Sequence, residues 1–290
     1  MPTRSLVYEA LVLRARESPA GDRILTMMTA ESGLIDAFVF GGPKSKLRSI
    51  ASPYSSGRAF VYLDPVKDFR KLTDFDVGES FPGLRDELDR LWAAGLIAEL
   101  LVKTSGGGGD FPLVLDLTRE ALRALDRESV DRSDIPITLY LWRLVGLLGL
   151  GPDPCACAAC GRTLRVFGSE RYAAEGARGL PSRVPECVYS SIHEGFLCSS
   201  CRTRFERERR ADGPSSFHEP DSAGHAPFIP IGPEALKWLS DSETLGFAET
   251  LLLPPLGDGE RAGLRALTFH LARRAADSPL ASFARGTFPT

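Results

Sequence analysis

Alternation of apolar and polar residues marks the amino-terminal quarter of the chain and predicts short β-strands. Five segments show it, separated by short polar connections: 6–13, 24–29, 34–40, 58–63 and 68–77. Gly33, between the second and third segments, can supply the positive φ of a hairpin turn. Five short strands with a polar, basic connection between the third and fourth predict a small closed barrel of the OB type. An SH3-like barrel or a half-sandwich would give a similar pattern.

After Phe81 the apolar residues recur every three or four positions, which predicts helices. The segments with this spacing are 84–101, 111–125, 135–150, 235–239 and 260–276. The third is apolar on nearly all sides, which indicates a central helix. The glycine run 106–109 separates the first two helices and is expected to be a flexible linker. Residues 277–290 are expected to be frayed.

Residues 151–230 follow neither pattern and are rich in Gly, Pro, Ser and Cys. The fold class predicted for the whole chain is therefore α+β. An N-terminal five-stranded OB-type β-barrel at 1–80 is followed by a mostly α-helical domain at 81–150 and 231–280. A cysteine module at 151–230 is inserted into the helical domain.

The cysteines supply the strongest candidate chemistry. Two C-x-x-C pairs include four of the six: Cys157, Cys160, Cys198 and Cys201. Four thiolates complete a tetrahedral Zn²⁺ shell, and metal binding would stabilise a module that lacks apolar periodicity. We predict a structural Zn²⁺ at these residues; disulfides, which the cytosol disfavours, and free buried thiols are the alternatives. Cys155 and Cys187 are left over, and Cys155 competes with Cys157 as a ligand.

Composition narrows the class of protein. Hydrophobic residues make up 43% of the 290, charged residues 25%, and the formal net charge is −3, an ordinary balance for a globular protein. The chain has no run of about 18 apolar residues that would span a membrane and no apolar signal core at its start. We therefore expect a soluble cytoplasmic protein.

Positive charge is concentrated near the amino terminus. Residues 1–71 contain eleven Lys and Arg against seven Asp and Glu, and no acid lies between Asp36 and Asp64. Four cations fall in or beside that acid-free connection: Lys44, Lys46, Arg48 and Arg58. Such a local basic surface can bind phosphates, although a solvated loop has the same composition. The segment 201–210 alternates in sign, which suits an exposed helix with internal ion pairs as well as a nucleic-acid contact.

Motifs of catalysis are missing from the sequence. Residues 41–45 superficially resemble a phosphate-binding loop, but Pro43 stands where that motif requires glycine. Neither H-E-x-x-H nor G-x-S-x-G occurs, and the four histidines are not placed near a plausible nucleophile. We therefore predict that the protein is not an enzyme.

Taken in order, five segments give the chain a family resemblance. They are the opening strand, the second strand with its turn, the basic connection and the two cysteine pairs: 8–14, 22–33, 40–49, 157–161 and 195–201. Their order and spacing resemble those of the RecO recombination-mediator family of bacterial DNA repair. Cys155, Cys187, the long gap 161–197 and the weakly patterned 205–230 depart from the family's pattern.

The resemblance implies an OB barrel, a helical domain and a zinc module in a non-enzymatic protein of the RecF pathway. Such a protein would bind single- and double-stranded DNA and anneal complementary strands. With its partner RecR it would help RecA replace single-strand-binding protein. It would be cytoplasmic and associated with the nucleoid.

Candidate DNA contacts combine cations for phosphates with aromatic rings for bases. The cations are Lys44, Lys46, Arg48, Arg58, Arg14 and Arg23. The candidate stacking residues are Phe38, Phe40, Tyr54 and Phe60, for each of which a place in the barrel core is the alternative.

A second candidate surface concerns a protein partner. In the family, the acidic tail of single-strand-binding protein docks on the helical domain, which requires a basic rim around an apolar slot. The candidates are Arg119, Arg123 and Arg127, and a solvated helix face is the alternative.

Two other functions are compatible with parts of the sequence. A zinc-ribbon adaptor that holds protein or RNA would explain the cysteines and the basic connection, but not the ordered match over the first 120 residues. A metal-dependent hydrolase would require an open metal position, which four cysteines do not leave.

Overall fold

The chain divides into two compact units, residues 1–150 with 271–290, and residues 151–270. The computed structural model describes residues 5–19, 21–41, 45–67, 69–127, 134–164, 187–211 and 228–282. The division into barrel, helical domain and inserted module remains a prediction. The helices in these ranges include none with the length and apolar character needed to cross a bilayer.

Five strands form a closed barrel in the first unit: β1 (Ser5–Glu17), β2 (Arg23–Thr29), β3 (Gly33–Val39), β4 (Ser56–Asp64) and β5 (Phe69–Glu79). Their order is β1-β2-β3-β5-β4, and β4 returns to pair with β1. Neighbours are antiparallel except β3 and β5, which are parallel. The α+β fold class and the five-stranded barrel are confirmed.

Alternate residues of β1 to β4 fill the barrel, as the period-2 pattern predicts, whereas the core residues of β5, Leu72 and Phe75, are three positions apart. Val12, Leu25 and Met27, among others, are fully buried in this core. Gly33 has φ +65° in the β2–β3 turn, where its carbonyl accepts a hydrogen bond of 2.8 Å from the Thr29 hydroxyl. A short helix that the sequence did not predict, α1 (Lys46–Ile50), lies between β3 and β4.

Helices complete the first unit: a 3-10 turn (Pro82–Arg85), α2 (Leu88–Lys103), α3 (Phe111–Arg127) and α4 (Asp134–Leu147). Helix α4 is buried along most of its length, as predicted for a central helix. In the glycine run 106–109, which was expected to be a flexible linker, all four residues have positive φ. Gly106 and Gly107 are buried, whereas Gly108 and Gly109 are exposed. A Cβ added to Gly107 would lie 2.9 Å from Val114 and 3.2 Å from Leu144.

The second unit contains a three-stranded antiparallel sheet in the order β7-β6-β8 and several helices. Its elements are β6 (Cys187–Ser190), β7 (Gly195–Leu197), α5 (Ser199–Ala211), β8 (Phe228–Ile231), α6 (Pro233–Ser242) and α7 (Phe247–Leu251). Helix α8 (Asp258–Ala276) follows them in the chain. The sheet was not predicted, because strands of three or four residues, buried on both faces, show no alternation.

The segment after α8 docks on α2, although the sequence predicted frayed residues from 277 onwards. The Glu99 carboxylate accepts hydrogen bonds from the backbone N–H groups of Ala281 (2.7 Å) and Ser282 (2.8 Å) and from the Ser282 hydroxyl (2.6 Å). The Trp92 indole N–H donates to the Ser282 carbonyl (2.6 Å). Partial burial raises the pKa of Glu99, but the hydrogen bonds from Ser282 and Ala281 and the nearby charge of Lys103 outweigh it and lower the pKa below its ordinary value. Residues 283–290 lie outside the described ranges.

We predict that Glu99→Gln releases this segment. Amide hydrogen exchange at Ala281 and Ser282 should become at least about fivefold faster, because each hydrogen bond lost contributes about 1 kcal/mol. Docking should be fully present above the ordinary pKa of a glutamate and should weaken as pH falls through the lowered pKa of the folded chain. Glu87→Gln removes the same charge from the exposed start of α2 and should leave exchange unchanged. Equal exchange in both variants would contradict the prediction.

Candidate metal centre and nucleic-acid interface

Cys157, Cys160, Cys198 and Cys201 come together in the second unit. Their Sγ atoms all lie within 4.8 Å of one another, and the sulfurs of Cys160 and Cys198 are 3.9 Å apart. Tetrahedral Zn²⁺ with ~2.3 Å Zn–S bonds separates its sulfurs by ~3.8 Å. The four thiols are therefore close enough to hold one metal ion.

Local backbone geometry builds the two halves of this cluster. In the first half, Gly161 has φ +69° and donates its N–H to the Cys157 carbonyl (2.8 Å), which turns the chain back after Cys160. In the second half, Cys198 follows β7 and Cys201 lies in the first turn of α5. The halves are joined by the Ala158 N–H, which donates to the Phe196 carbonyl at 2.8 Å.

Hydrogen bonding favours a thiolate at Cys157. Burial raises its pKa, but donors at the Cys198, Ala159 and Cys160 backbone outweigh burial and lower the pKa of Cys157 to about 6. Burial and the neighbouring sulfurs raise the pKa of Cys201 to about 12. Four thiolates thus repel one another unless a cation is bound among them.

The two remaining cysteines are not part of the group of four close sulfurs. The Cys155 sulfur is 3.5 Å from the Ser240 hydroxyl. The Cys187 thiol donates to the Ile231 carbonyl at 3.4 Å, and burial raises its pKa to about 12. Their surroundings offer no reason for either to replace Cys157 as a ligand.

Two of the predicted DNA-binding cations are engaged within the barrel. The Arg48 guanidinium, which is largely buried, pairs with Glu17 at 2.6 Å and donates to the Gly41 carbonyl at 3.1 Å. The Arg23 guanidinium donates to the Arg48 carbonyl at 2.7 Å. These contacts tie the connection between β3 and β4 to the barrel.

The other four predicted cations differ in their accessibility. Arg14 donates to the Thr26 hydroxyl at 3.1 Å, and Arg58 forms an exposed ion pair with Asp76 at 2.5 Å. Lys46 is exposed at the start of α1 and has no ion-pair partner among the described residues. Lys44 lies outside the described ranges.

Three aromatic rings gather on the outer surface of the barrel at β3 and β5. The ring centroid of Phe38 lies 6.2 Å from that of Phe40 and 4.9 Å from that of Phe69, and Phe40 and Phe69 are 5.9 Å apart. The Lys71 ammonium lies 5.4 Å above the Phe40 ring. We call these four residues the aromatic–lysine patch. Phe38 and Phe40 point outward because the alternate residues Ala37 and Val39 fill the barrel core.

A groove of about 560 Å³ continues from this patch. Its lining is Ser5, Tyr62, Asp64, Lys67, Phe69, Lys71 and Thr73. The groove therefore offers two lysines and two aromatic rings along the outer edge of β4 and β5. Such a surface can stack bases and hold phosphates.

Phe69, Lys71, Tyr62 and Lys67 were not among the predicted contacts. The parallel pairing of β3 with β5, which sets Phe38 opposite Lys71, is a long-range feature that residue spacing does not reveal. Of the predicted stacking residues, Phe38 and Phe40 belong to the patch. Phe60 is half-buried on β4, and Tyr54 has φ +68° with its hydroxyl near Gly95 of α2. Burial raises the pKa of Tyr54.

Two arginines of the predicted partner surface on α3 form hydrogen bonds and ion pairs with the barrel. The Arg123 guanidinium pairs bidentately with Glu79 at 2.6 and 2.8 Å. Arg119 donates to the Ser56 hydroxyl at 2.7 Å and pairs with Glu9 at 3.2 Å. Arg127 is exposed at the end of α3. Partner binding by these residues remains a prediction, and their contacts show that Arg119 and Arg123 join α3 to the barrel.

Known proteins match the chain over most of its length. The family model described as "Recombination protein O N terminal" matches residues 4–81, and "Recombination protein O C terminal" matches residues 85–215. The chain is similar to the DNA repair protein RecO of Anaeromyxobacter sp. (strain Fw109-5), with 29% identity over 94% of each chain. It is 30% identical to that of Rubrobacter xylanophilus over 82% of this chain and 81% of the relative.

A further relative is the DNA repair protein RecO of Desulfitobacterium hafniense (strain DSM 10664 / DCB-2). It is 34% identical over 68% of this chain and 64% of the relative. The two family models together cover the barrel, helices α2 to α4 and both cysteine pairs. The chain belongs to the RecO (recombination protein O) family.

Proposed function

We propose that the protein is a non-enzymatic DNA repair and recombination mediator. It binds single- and double-stranded DNA, anneals complementary strands and helps load RecA onto DNA covered by single-strand-binding protein. Membership of the RecO family gives the chain a role in DNA repair. The aromatic–lysine patch on the outer surface of an OB-type barrel is the observation that carries the finer proposal.

The patch suits a single strand because it offers ring surfaces and positive charge together. Base–aromatic stacking contributes about 1–3 kcal/mol per base and tolerates any sequence. Phe40 remains 41% exposed, so a base can reach its ring. Lys71 and Lys67 lie beside the rings and would hold the phosphates between successive bases.

A duplex would use the same lysines but not the rings, since its bases are already stacked and paired. Lys46 and Lys44 would extend the phosphate contacts along the connection between β3 and β4. Arg48 and Arg23 would hold that connection in place. Arg14 and Arg58 would add positive potential, Arg58 by exchanging Asp76 for a phosphate.

We predict that Phe40→Leu weakens single-strand binding selectively. Leucine keeps an apolar side chain but loses the ring, so the dissociation constant for a single strand should rise between about 5-fold and 150-fold. The dissociation constant for a duplex should stay unchanged. Fluorescence anisotropy at one fixed salt concentration measures both. The control is Val77→Ala, which changes an exposed apolar residue of β5 outside the aromatic–lysine patch. If the dissociation constants for the single strand and the duplex rise equally, Phe40 does not stack on bases.

We predict that Lys71→Gln and Lys46→Gln each remove one contact with a DNA phosphate and so weaken the salt dependence of binding. Each change should reduce the slope of log K against log salt by about 0.7 on single strands and about 0.9 on duplex. Lys237→Gln, which removes a lysine paired with Asp241 at 2.5 Å in the second unit, should leave the slope unchanged. If a Lys44→Ala/Lys46→Ala/Arg48→Ala variant binds single strands as tightly as the original chain, the basic connection between β3 and β4 does not contact the phosphates.

We also propose that the four-cysteine cluster holds a structural Zn²⁺. Four thiolates close the coordination shell, so the ion would have no open position for a substrate and would stabilise the second unit instead. The mutual distances of the four sulfurs and the thiolate favoured at Cys157 support this assignment.

We predict one zinc ion per chain and its loss in Cys160→Ser. Metal analysis by mass spectrometry and the midpoint of thermal unfolding measure the two effects, and the midpoint should fall because binding free energy is also folding free energy. Cys155→Ser replaces the same atom outside the cluster and should retain both metal and midpoint. Metal loss in Cys155→Ser with retention in Cys160→Ser would require a different ligand set.

The family resemblance also suggests protein partners. We propose RecR, the acidic tail of single-strand-binding protein and, indirectly, RecA as partners, and a place at the nucleoid. Exposed Arg127 supports a basic contact for the acidic tail better than Arg119 and Arg123, whose guanidinium groups already pair with the barrel. A strand-annealing assay separates this function from that of a zinc-ribbon adaptor, which would not accelerate annealing.

A further inference from the structure

Positive charge in the second unit is concentrated on α5. The segment 201–210, whose signs alternate in the sequence, lies in this 13-residue helix. The sequence of α5 contains five arginines and two glutamates, whereas the whole chain has a net charge of −3. The helix therefore carries a local positive charge within an acidic protein.

The described arginines of α5 fall into two groups. Arg202 is paired with Glu206 at 2.8 Å. Arg204 reaches Glu208 only at 3.9 Å, and Arg207 has no ion-pair partner among the residues that the structure describes. Arg204 and Arg207 are both exposed, so their charges are available to a ligand.

Arg204 and Arg207 line a groove of about 480 Å³ along one side of α5. The other lining residues are Ser199, Ser200, Thr203 and Glu208. Phe205 anchors the helix at this level, because its ring lies 4.1 Å from the His193 ring and 5.0 Å from the Arg204 guanidinium. The groove thus combines the guanidinium groups of Arg204 and Arg207 with the hydroxyls of Ser199 and Ser200, whereas the Thr203 hydroxyl already donates to the Ser199 carbonyl at 2.9 Å. Phe205 fixes the helix against the loop after β6.

The lining chemistry distinguishes between two anionic ligands. An acidic peptide that ends in an apolar residue needs an apolar slot, and none of the described residues that line this groove is apolar. Arginine guanidinium groups and serine or threonine hydroxyls are the groups that hold phosphate oxygens of a nucleic-acid backbone. Glu208 at the edge of the groove would repel a ligand placed too far along the helix.

We propose that this groove is a second DNA contact, in which Arg204 and Arg207 bind backbone phosphates. The inference rests on the proposed function and deepens it. A chain with one contact surface on its barrel and another in its second unit offers two places at which DNA can bind. Binding of two strands to one molecule would favour annealing.

The test uses the full chain with Arg204→Gln/Arg207→Gln, and Arg202→Gln/Lys237→Gln as the matched control. Both variants remove two positive charges from the second unit, but the control removes cations that are already paired. In the groove variant the slope of log K against log salt on a single strand should fall by about 1.4, and strand annealing should slow several-fold. The control should match the original chain in both measurements. Metal content and thermal midpoint verify folding.

The outcomes separate the two proposals. If the original chain does not bind DNA at low salt, the proposed function fails. If it binds DNA and the groove variant matches it in salt slope and annealing rate, the second contact is wrong and the barrel contact stands. Unchanged DNA binding with lost binding of an acidic peptide would also overturn it, and would assign the groove to a protein partner.

Discussion

Barrel closure is the constraint on which the first unit depends. Strand β1 pairs with β4 over residues 5–11 and with β2 over residues 10–17, with a register shift between Val12 and Arg14. A single 13-residue strand can serve both neighbours because it bends at this irregularity. Closure then fixes which residues face inward. The outward positions left over are those that present Phe38, Phe40 and Lys71 to solvent.

The described residues of the second unit form no closed barrel, and a bound metal ion would stabilise this unit instead. Its strands contain only three or four residues, too few to form a large core of their own. The four cysteines connect the turn around Gly161, the end of β7 and the first turn of α5. A cation among these sulfurs would therefore join three segments that lie apart in the sequence. The arginines of α5 begin directly after its last cysteine, so a bound ion would also help to fix their position.

Local patterns in the sequence were sufficient to predict the barrel strands, the long helices and the cysteine cluster. Period-2 alternation places Ala37 and Val39 inside, and a C-x-x-C pair brings two sulfurs together over one turn. Such patterns could not predict interactions between segments that are distant in the sequence. The pairing of Phe38 with Lys71 depends on strand order, and the pairing of Arg123 with Glu79 depends on how α3 packs against the barrel. Arginines at helical spacing have the same appearance in sequence whether they face solvent or a carboxylate.

The enclosed glycine between α2 and α3 has a consequence for genetics. Gly107 combines φ +80° with close neighbours on α3 and α4, so every other amino acid would strain the backbone and push these helices apart. Alleles that change this codon should therefore produce temperature-sensitive loss of repair although the aromatic–lysine patch keeps its chemistry. In a collection of repair-deficient mutants, such alleles would identify a packing defect and not a binding residue.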